Sequence, residues 1–344
     1  MAESNTLRRD LIGLELKSRI GFEKGTLNFM RTIRFVGFAG ALIAAWTLSG
    51  MAEQPEYLEG RAFSLVDGKF LDVGDGEGSS NLRYLFEYDP SDDETRVRTY
   101  KPYVHVFAPE GESFLTKGEE GKYPHHRGIF TGWSKLGYGG EVYDLWHMKK
   151  GAAQVHREFV DLDVPEGAAG FAALIDWLNP EGVVMLVERR EVLLYPAESG
   201  AYVDVEFTSE LSALNGPVFL DGDPEHAGFQ FRPNAEVVGN RSARYQFHRD
   251  DVNPKEDRDY PWVAMTYELE GAGMWTVQMM RDAGNPDDSR WSCYRDYGRF
   301  GNFFVGTIEE GETLSFTFRI RVTEGEAPSR ERLEAVYEEW TGRE

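Results

Sequence analysis

Apolar and polar residues alternate with a period of two through much of the chain. The clearest stretch is residues 314–322, where Leu, Phe, Phe, Ile and Val occupy every second position and Ser, Thr and Arg lie between them. Residues 203–207 repeat the pattern, and residues 183–195 and 262–270 are strand-like with less regular alternation. Successive side chains of a strand point to opposite faces, so this pattern predicts half-buried strands.

One helix is predicted, close to the C-terminus. Ser329 can cap a segment whose apolar residues recur at i, i+3, i+4 and i+7, the spacing of one helical stripe. These residues are Leu333, Val336, Tyr337 and Trp340. Elsewhere, clusters of Gly, Pro, Asn and Asp separate the strand-like segments. Many strands, long loops and no alternation of strands with helices predict an all-β fold, an antiparallel sandwich with a short C-terminal helix.

The N-terminal region has the pattern of a secretory signal peptide. Residues 35–52 are 18 residues without a charge, and they follow Arg31 and Arg34 and end in the small-x-small sequence Gly-Met-Ala. We predict a signal peptide at residues 30–52 and an exported protein, periplasmic or extracellular. Residues 1–29 would be an extension that is disordered or not translated. An uncleaved membrane anchor is the alternative, since about 18 apolar residues are also the lower limit for a spanning helix.

The remaining chain, residues 55–344, shows no internal repeat and no linker rich in Ser or Pro, which predicts one domain. The chain carries 59 acidic residues against 37 Lys and Arg, a formal charge of −22. Such a surface repels phosphate backbones and anionic lipids, so we expect no nucleic-acid partner and no stable membrane insertion after signal cleavage. A single cysteine excludes an intramolecular disulfide. No glycine-rich phosphate-binding motif indicates a nucleotide cofactor.

Four polar and aromatic segments hold the candidate chemistry. Five of the seven histidines fall into the first three of them. The segments are YPHHRG at residues 123–128, DLWH at 144–147 with the strand after it, DGDPEHAG at 221–228 and YRDYGRFG at 294–301. Loops rich in His, Arg, Trp and Tyr on a β scaffold suit a ligand with many hydroxyl groups or a carboxylate.

These segments, with Lys101-Pro102-Tyr103 ahead of them, closely resemble the PmoA-like family of bacterial proteins over roughly residues 60–325. The resemblance implies a β-supersandwich of the galactose-mutarotase type, whose members bind and process sugars. The family carries the label of a methane oxygenase. That enzyme's subunit spans a membrane several times, whereas this chain has at most one apolar run long enough to span, so we interpret the label as transferred.

Histidine titrates near neutral pH and can move a proton in either direction, so the clustered histidines are the candidate catalytic residues. They are His125, His126, His147 and His226. The candidate substrate-binding residues are Arg127, Trp146, Glu225, Gln230, Arg232, Arg295 and Tyr297.

Several of these residues have a structural alternative. Adjacent histidines would point to opposite faces of a strand, so only a loop could aim both at one site. Arg127 could tie a loop to backbone carbonyls instead of a ligand, and Trp146 could anchor the core instead of stacking on a sugar. The carboxylate that orients His226 is open among Asp221, Asp223 and Asp296.

We predict no metal and no cofactor, because the histidines lack metal-binding spacings such as HExxH and lie beside arginines. The predicted function is that of an exported carbohydrate-active enzyme, an isomerase, lyase or hydrolase. It would use histidine acid/base chemistry on a sugar or oxidised sugar derivative. A non-catalytic carbohydrate-binding protein and a metal-dependent oxygenase, with three histidines and a carboxylate as ligands, are the alternatives.

Overall fold

The computed structural model describes residues 63–66, 68–74, 80–109, 111, 113–197 and 200–342. The N-terminal extension at residues 1–29 and the signal peptide at residues 30–52 lie outside the described residues and stay predictions. Residues 55–62, where the predicted domain begins, lie outside them as well. Within the described part of the chain, no helix has the length and apolar character that a bilayer crossing requires.

The first sheet has eight antiparallel strands and carries most of the motif-bearing loops at its strand ends. Across the sheet its strands are β1 (Phe63–Val66), β2 (Phe70–Gly74), β3 (Ser80–Leu85), β4 (Tyr103–Val106), β5 (Ile129–Trp133), β13 (Ala227–Phe231), β18 (Phe300–Phe303) and β17 (Arg290–Trp291).

The second sheet also has eight antiparallel strands and contains the segments with the clearest alternation. Across the sheet they are β14 (Arg244–Phe247), β15 (Trp262–Leu269), β16 (Gly273–Arg281), β20 (Thr313–Glu324), β11 (Val203–Ser212), β10 (Val184–Tyr195), β9 (Ala169–Leu178) and β8 (Ala153–Val160). A smaller sheet is made of β19 (Gly306–Ile308), β12 (Val218–Asp221), β6 (Lys135–Tyr138) and β7 (Glu141–Tyr143).

The two large sheets face each other across an apolar core rich in aromatic rings. Phe229 of the first sheet stacks on Phe318 of the second with ring centroids 4.6 Å apart. The ring centroid of Phe207, also of the second sheet, lies 4.8 Å from that of Phe229. All three side chains are fully or almost fully buried. Because each sheet buries one face against the other, the prediction of an all-β antiparallel sandwich is confirmed.

The predicted C-terminal helix is present as α3 (Arg330–Thr341), and Ser329 caps it by accepting a hydrogen bond from the backbone N–H of Arg332. Its apolar stripe packs on the second sheet, against Trp262, Ala264 and Met280. Two shorter helices, α1 (Asp93–Thr99) and α2 (Glu236–Asn240), and a 3-10 turn at Lys149–Gly151 were not predicted. One or two turns contain too few apolar positions to show a period of 3.6.

A fully buried ion pair connects the second sheet to the first. Glu188 and Arg190, neighbours on one face of β10, are joined by two hydrogen bonds of 2.8 and 2.9 Å. Trp177 and Ser209 donate the remaining hydrogen bonds to the Glu188 carboxylate, at 2.9 and 3.0 Å. Arg190 Nη1 donates to the carbonyl of Pro102 at 3.1 Å. The pair therefore positions the segment that leads into β4.

Removing one partner of this pair should destabilise the fold strongly, because the other charge is then buried without compensation. We expect E188Q to lower the free energy of unfolding by about 3–5 kcal/mol. The measurement is urea denaturation followed by tryptophan fluorescence. E210Q, which removes the same charge from a partly exposed pair with Arg189, should cost at most about 1 kcal/mol. Equal losses in the two variants would contradict the structural role of the buried pair.

Candidate functional site

The outer face of the first sheet, which points away from the sandwich core, is covered by the motif-bearing loops. Along β4 and β5, Val104 and Ile129 belong to the core. Their neighbours Tyr103 and Phe130 point the other way, since side chains alternate along a strand. There they pack with Trp146 in a separate buried cluster. This cluster forms the floor on which the histidine-bearing loops lie.

The four candidate histidines come together above this floor. The His125 ring lies 4.4 Å from that of His126 and 4.5 Å from that of His147, between ring centroids. The ring of His147 in turn lies 5.3 Å from that of His226. The edge of Trp146 meets both His126 and His226 at 6.2 Å. Three loops that are distant in sequence therefore contribute to one histidine cluster, which we define as His125, His126, His147 and His226.

Two of these histidines are held by a carboxylate three residues earlier. His147 Nδ1 lies 2.9 Å from Asp144 Oδ2, and His226 Nδ1 lies 3.0 Å from Asp223 Oδ1. The same carboxylates accept backbone N–H groups of their own turns, from His147 at 2.8 Å and from Glu225 at 2.9 Å. Each Asp-x-x-His segment thus closes a turn and orients a ring with one side chain.

This arrangement determines which ring nitrogen is available for chemistry. Because each carboxylate accepts from Nδ1–H, the neutral ring keeps its lone pair on Nε2. The side chains of His147 and His226 are 25% and 36% exposed, so solvent reaches them. Burial raises the pKa of Asp144, but hydrogen bonds from His147 and Lys149 outweigh it and hold that pKa well below its ordinary value. Asp144 is therefore a carboxylate at neutral pH.

The other two histidines are held neutral. Burial, followed by the charge of Lys101, lowers the pKa of His125 to about 2. Burial and the charge of Arg232 also lower the pKa of His126 well below its ordinary value. His126 is only 4% exposed, and its Nε2 has no hydrogen-bond partner among the described residues. These two rings can accept or donate hydrogen bonds, but they do not carry charge near neutral pH.

Two buried cations lie next to the histidine cluster. Lys101 donates to the carbonyl of Trp146 at 3.2 Å, and its Nζ lies 3.9 Å from the centroid of Phe130. Arg232 contacts the carbonyls of Phe231 and Phe300 through Nη1, at 3.4 Å each. Burial lowers the pKa of both cations well below the ordinary value. In the described part of the chain, neither forms an ion pair with a carboxylate.

Glu225 ties the third histidine loop to the fourth motif. Its carboxylate accepts from Arg295 Nη2 at 2.6 Å and from the hydroxyl of Tyr294 at 3.1 Å, and it lies 3.3 Å from Arg299 Nη1. Burial raises the pKa of Glu225, but the hydrogen bond from Arg295 and the charge of Arg299 outweigh it and lower that pKa. Arg299 also donates to the hydroxyl of Tyr297 at 3.1 Å. Glu225, which precedes His226 in sequence, is therefore paired with Arg295, and the use of these two residues in substrate binding stays a prediction.

Two candidate residues have a different role from the one expected. Arg127 is fully buried and donates to the backbone carbonyls of Pro124 and Arg98 at 2.7 and 2.8 Å, and also to that of Val97. Its guanidinium is used to hold loops together, so it does not face a ligand. Trp146 is fully buried, so its ring face does not serve as an exposed platform for a sugar.

Gln230 is buried beside Arg232 on the outer face of β13. Its amide nitrogen donates to the carbonyl of Ala227 at 2.8 Å, while its Oε1 has no partner among the described residues. The amide lies directly over Gly301, where a Cβ atom would come within 2.3 Å of it. Only glycine leaves room for Gln230 at this position of the neighbouring strand.

Sequence reasoning missed Asp144 and Lys101 as site residues and left the partner of His226 open. The structure assigns that partner as Asp223, whereas Asp296 pairs with Arg241 and Asp221 lies near Lys135. The Asp-x-x-His spacing, which occurs at both 144–147 and 223–226, was the signal that could have found both carboxylates. No comparable signal in the sequence marks Lys101 as buried.

The described residues contain no group of three or more His, Cys, Asp or Glu side chains arranged to hold a metal ion. Chemically, the site offers two oriented imidazoles with free Nε2 atoms, two neutral imidazoles and an excess of cationic groups.

Arg232 should reduce the stability of the fold, because a buried guanidinium with unpaired nitrogens costs free energy. We expect R232M to raise the free energy of unfolding by about 1–3 kcal/mol. The same substitution at a paired arginine, R83M, should lower it, because Asp72 then loses its bidentate partner. Urea denaturation of both variants provides the measurement, and a stability loss of similar size in both would contradict the unpaired state of Arg232.

Stability should also depend on pH through the buried histidines. The pKa values of His105, His125 and His156 are lowered by burial to about 3, 2 and 4, and that of His126 is lowered as well. Below about pH 6.5 the unfolded chain therefore binds protons that the folded chain does not. The free energy of unfolding should fall by about 2 kcal/mol or more between pH 7 and pH 5.

The check is a series of urea denaturation curves at pH 7, 6 and 5. In H126Q the pH dependence should be weaker by the contribution of one imidazole. A wild-type stability that stays constant over this range would show that these rings take up protons in the folded state.

Comparison with known proteins gives a family and two distant structural similarities. Residues 76–338 match the model of the "Family of unknown function (DUF6807)". No curated protein sequence matches the chain. Among solved structures, it is similar to a mutant of the heparan sulfate lyase HepC from Pedobacter heparinus, with 11% identity and a TM-score of 0.37 over 80% of this chain and 38% of that one.

A second similar structure is a polysaccharide lyase, with 12% identity and a TM-score of 0.35 over 74% of this chain and 34% of that one. The chain thus corresponds to well under half the length of either lyase. The family model, by contrast, matches most of this chain, and the matched residues include all four motif-bearing segments. On that basis, the chain belongs to the DUF6807 family.

Proposed function

We propose that this protein is a carbohydrate-active enzyme that uses His147 and His226 for acid/base chemistry on a sugar. The observation that carries the proposal is the pair of Asp-His units, Asp144-His147 and Asp223-His226, whose rings lie 5.3 Å apart. In each unit the carboxylate accepts from Nδ1–H, so the neutral form of the ring has its lone pair on Nε2, which is the arrangement of an oriented general base.

Two such units can divide the work of one proton-transfer reaction. One neutral histidine takes a proton from the sugar, while the other, in its protonated form, gives a proton to a ring or leaving oxygen. The carboxylates of Asp144 and Asp223 stabilise the imidazolium that forms in each half of the cycle. This division of roles fits an isomerase, a lyase or a hydrolase equally well.

The distribution of aromatic side chains favours an enzyme over a non-catalytic carbohydrate-binding protein. Binding modules stack sugars on aromatic rings that face solvent. Here the tryptophans among the described residues are buried, apart from Trp340 of α3, which is partly buried. The partly exposed rings near the site are those of Tyr123, Tyr294 and Tyr297. Beside them lie imidazoles, carboxylates and guanidinium groups, which suit proton transfer and polar recognition better than stacking.

The resemblance to PmoA-like proteins and the predicted signal peptide extend this proposal. They imply an exported enzyme that meets its substrate outside the cytoplasm. The reaction would need no cofactor, because the proposed proton transfers use the imidazoles of the chain itself.

The test is the rate of the chemical step in H226Q. Glutamine has a similar size and can still form hydrogen bonds, but it cannot take a proton. We therefore expect kcat to fall by about 100-fold or more with little change in KM. D223N should lower kcat less, since the base remains but loses its orientation. The assays use the best substrate from a panel of neutral and oxidised glycosides.

H248Q is the matched control, because His248 lies next to Tyr260 and outside the histidine cluster. It should retain the wild-type rate. An H226Q enzyme with wild-type turnover would exclude general-base catalysis by His226, and binding without turnover of any panel member would favour a binding protein. Activity that is lost with a chelator and restored by copper or iron would favour the oxygenase alternative.

A further inference from the structure

We propose that the substrate carries a carboxylate, as a uronic acid does, and that this group binds to the unpaired edge of Arg232. The inference rests on the proposed function, since it concerns the same site. It assigns a recognition role to a residue that the acid/base chemistry does not use.

The first observation is the state of the Arg232 guanidinium. Its Nε and Nη2 are buried and have no hydrogen-bond partner among the described residues. These two nitrogens form one edge of the guanidinium, and their parallel N–H groups match the two oxygens of a carboxylate.

Other arginines of this chain show what normally occupies that edge. Arg83 uses Nε and Nη2 to hold Asp72 at 2.7 and 2.8 Å, and Arg319 holds Asp204 in the same way at 2.7 and 3.1 Å. The buried Arg190 does so with Glu188. Arg232 is more buried than Arg83 or Arg319 and almost as buried as Arg190, yet no carboxylate of the described chain pairs with this edge. A carboxylate from a ligand would complete the same bidentate pair.

A second observation is that the neighbours of Arg232 also have unpaired nitrogens. Trp146 lies with its ring centroid 5.9 Å from the Arg232 guanidinium carbon, and its Nε1 has no partner within the described residues. The same is true of His126 Nε2. Buried polar atoms in native proteins are almost always hydrogen-bonded, so several unpaired atoms at one place require a common explanation. An anion accepts hydrogen bonds from the Arg232 and Trp146 nitrogens, and from His126 in its Nε2–H tautomer. The unpaired Oε1 of Gln230 beside them needs a donor instead, which a sugar hydroxyl group supplies.

The charge of the site supports an anionic ligand. The whole chain has a formal charge of −22, which repels anions in general. Around the histidine cluster, however, cationic side chains outnumber carboxylates. The cations are Lys149, Arg232, Arg295 and Arg299, and the carboxylates are Asp144, Asp223 and Glu225. Lys101 is a further basic group, and burial lowers its pKa. A local positive excess on an acidic protein favours a ligand with a single, well-placed negative charge over an extended polyanion.

The position of Arg232 relates this charge to the proposed chemistry. Trp146 connects Arg232 to the histidine cluster, since its ring lies 5.9 Å from the Arg232 guanidinium carbon and 6.2 Å from the rings of His126 and His226. A carboxylate on Arg232 would therefore place the rest of the sugar towards His125, His147 and His226. The uronate group would act as the anchor, and the neighbouring carbons would lie near the two oriented bases.

The experiment compares uronates with their neutral parents on the full chain. Isothermal titration calorimetry with methyl glucuronide and methyl galacturonide, and with methyl glucoside and methyl galactoside, gives the preference of the wild type. We expect the uronates to bind at least about tenfold more tightly. R232Q should remove this preference and leave the affinity for the neutral glycosides within about threefold of the wild type.

W146F provides a second variant, since it removes one N–H donor and keeps an aromatic ring; it should reduce the uronate preference by a smaller factor. R157Q is the control for charge, because Arg157 forms an exposed pair with Asp176 and the change removes the same unit charge. It should leave both affinities unchanged. Circular dichroism and melting curves verify that each variant is folded.

The outcomes separate this inference from the proposed function. If wild type binds and converts neutral glycosides as well as uronates, the carboxylate subsite is wrong and the acid/base proposal stands. If R232Q loses affinity for uronates and neutral glycosides alike, Arg232 is a structural residue and the inference is wrong. If no sugar of either kind binds or reacts, the proposed function fails as well.

Discussion

The candidate site depends on how the backbone groups of its buried loops are hydrogen-bonded. These loops lie on the outer face of the first sheet, where their N–H and C=O groups lack the regular ladder of a neighbouring strand. Unpaired backbone groups cost free energy when water is excluded, so side chains replace the missing partners. Arg127 holds three carbonyls of the loops around it, and Asp144 accepts two backbone N–H groups of its own turn. Below them, the Glu188–Arg190 pair holds the carbonyl of Pro102. The loops are therefore positioned by charged side chains.

Against this background the unpaired edge of Arg232 is an exception. The buried arginines Arg127 and Arg190 of the described chain use their nitrogens on carbonyls and a carboxylate, and Arg281 leaves only Nε unpaired. Arg232 contacts two carbonyls through Nη1 and leaves both Nε and Nη2 unpaired. Functional sites commonly retain groups that reduce stability, because a ligand supplies the missing interaction when it binds.

The two Asp-x-x-His units show how little sequence an oriented histidine needs. A carboxylate at the first position accepts the backbone N–H groups of the following turn and is then directed at the ring three residues later. Two copies of this unit lie 79 positions apart in the chain, and they follow β7 and β12 of the smaller sheet. They meet because Leu145 donates its backbone N–H to Trp133 of β5, the strand that pairs with β13. Local geometry therefore orients each ring, and the sheet brings the two rings together.

Alternation in segments such as residues 314–322 predicted strands, and the apolar stripe from Leu333 to Trp340 predicted the last helix. Burial of one face imposes such a period on the sequence, so the same patterns also predicted the sandwich. The histidine motifs likewise identified which loops carry the chemistry. What the sequence left open depends on contacts between distant positions. Whether Arg127 faces a ligand or backbone carbonyls, and whether Arg232 meets a carboxylate, are decided by neighbours 29 to 68 positions away. Such neighbours are set by strand order, and no periodicity of the chain records them.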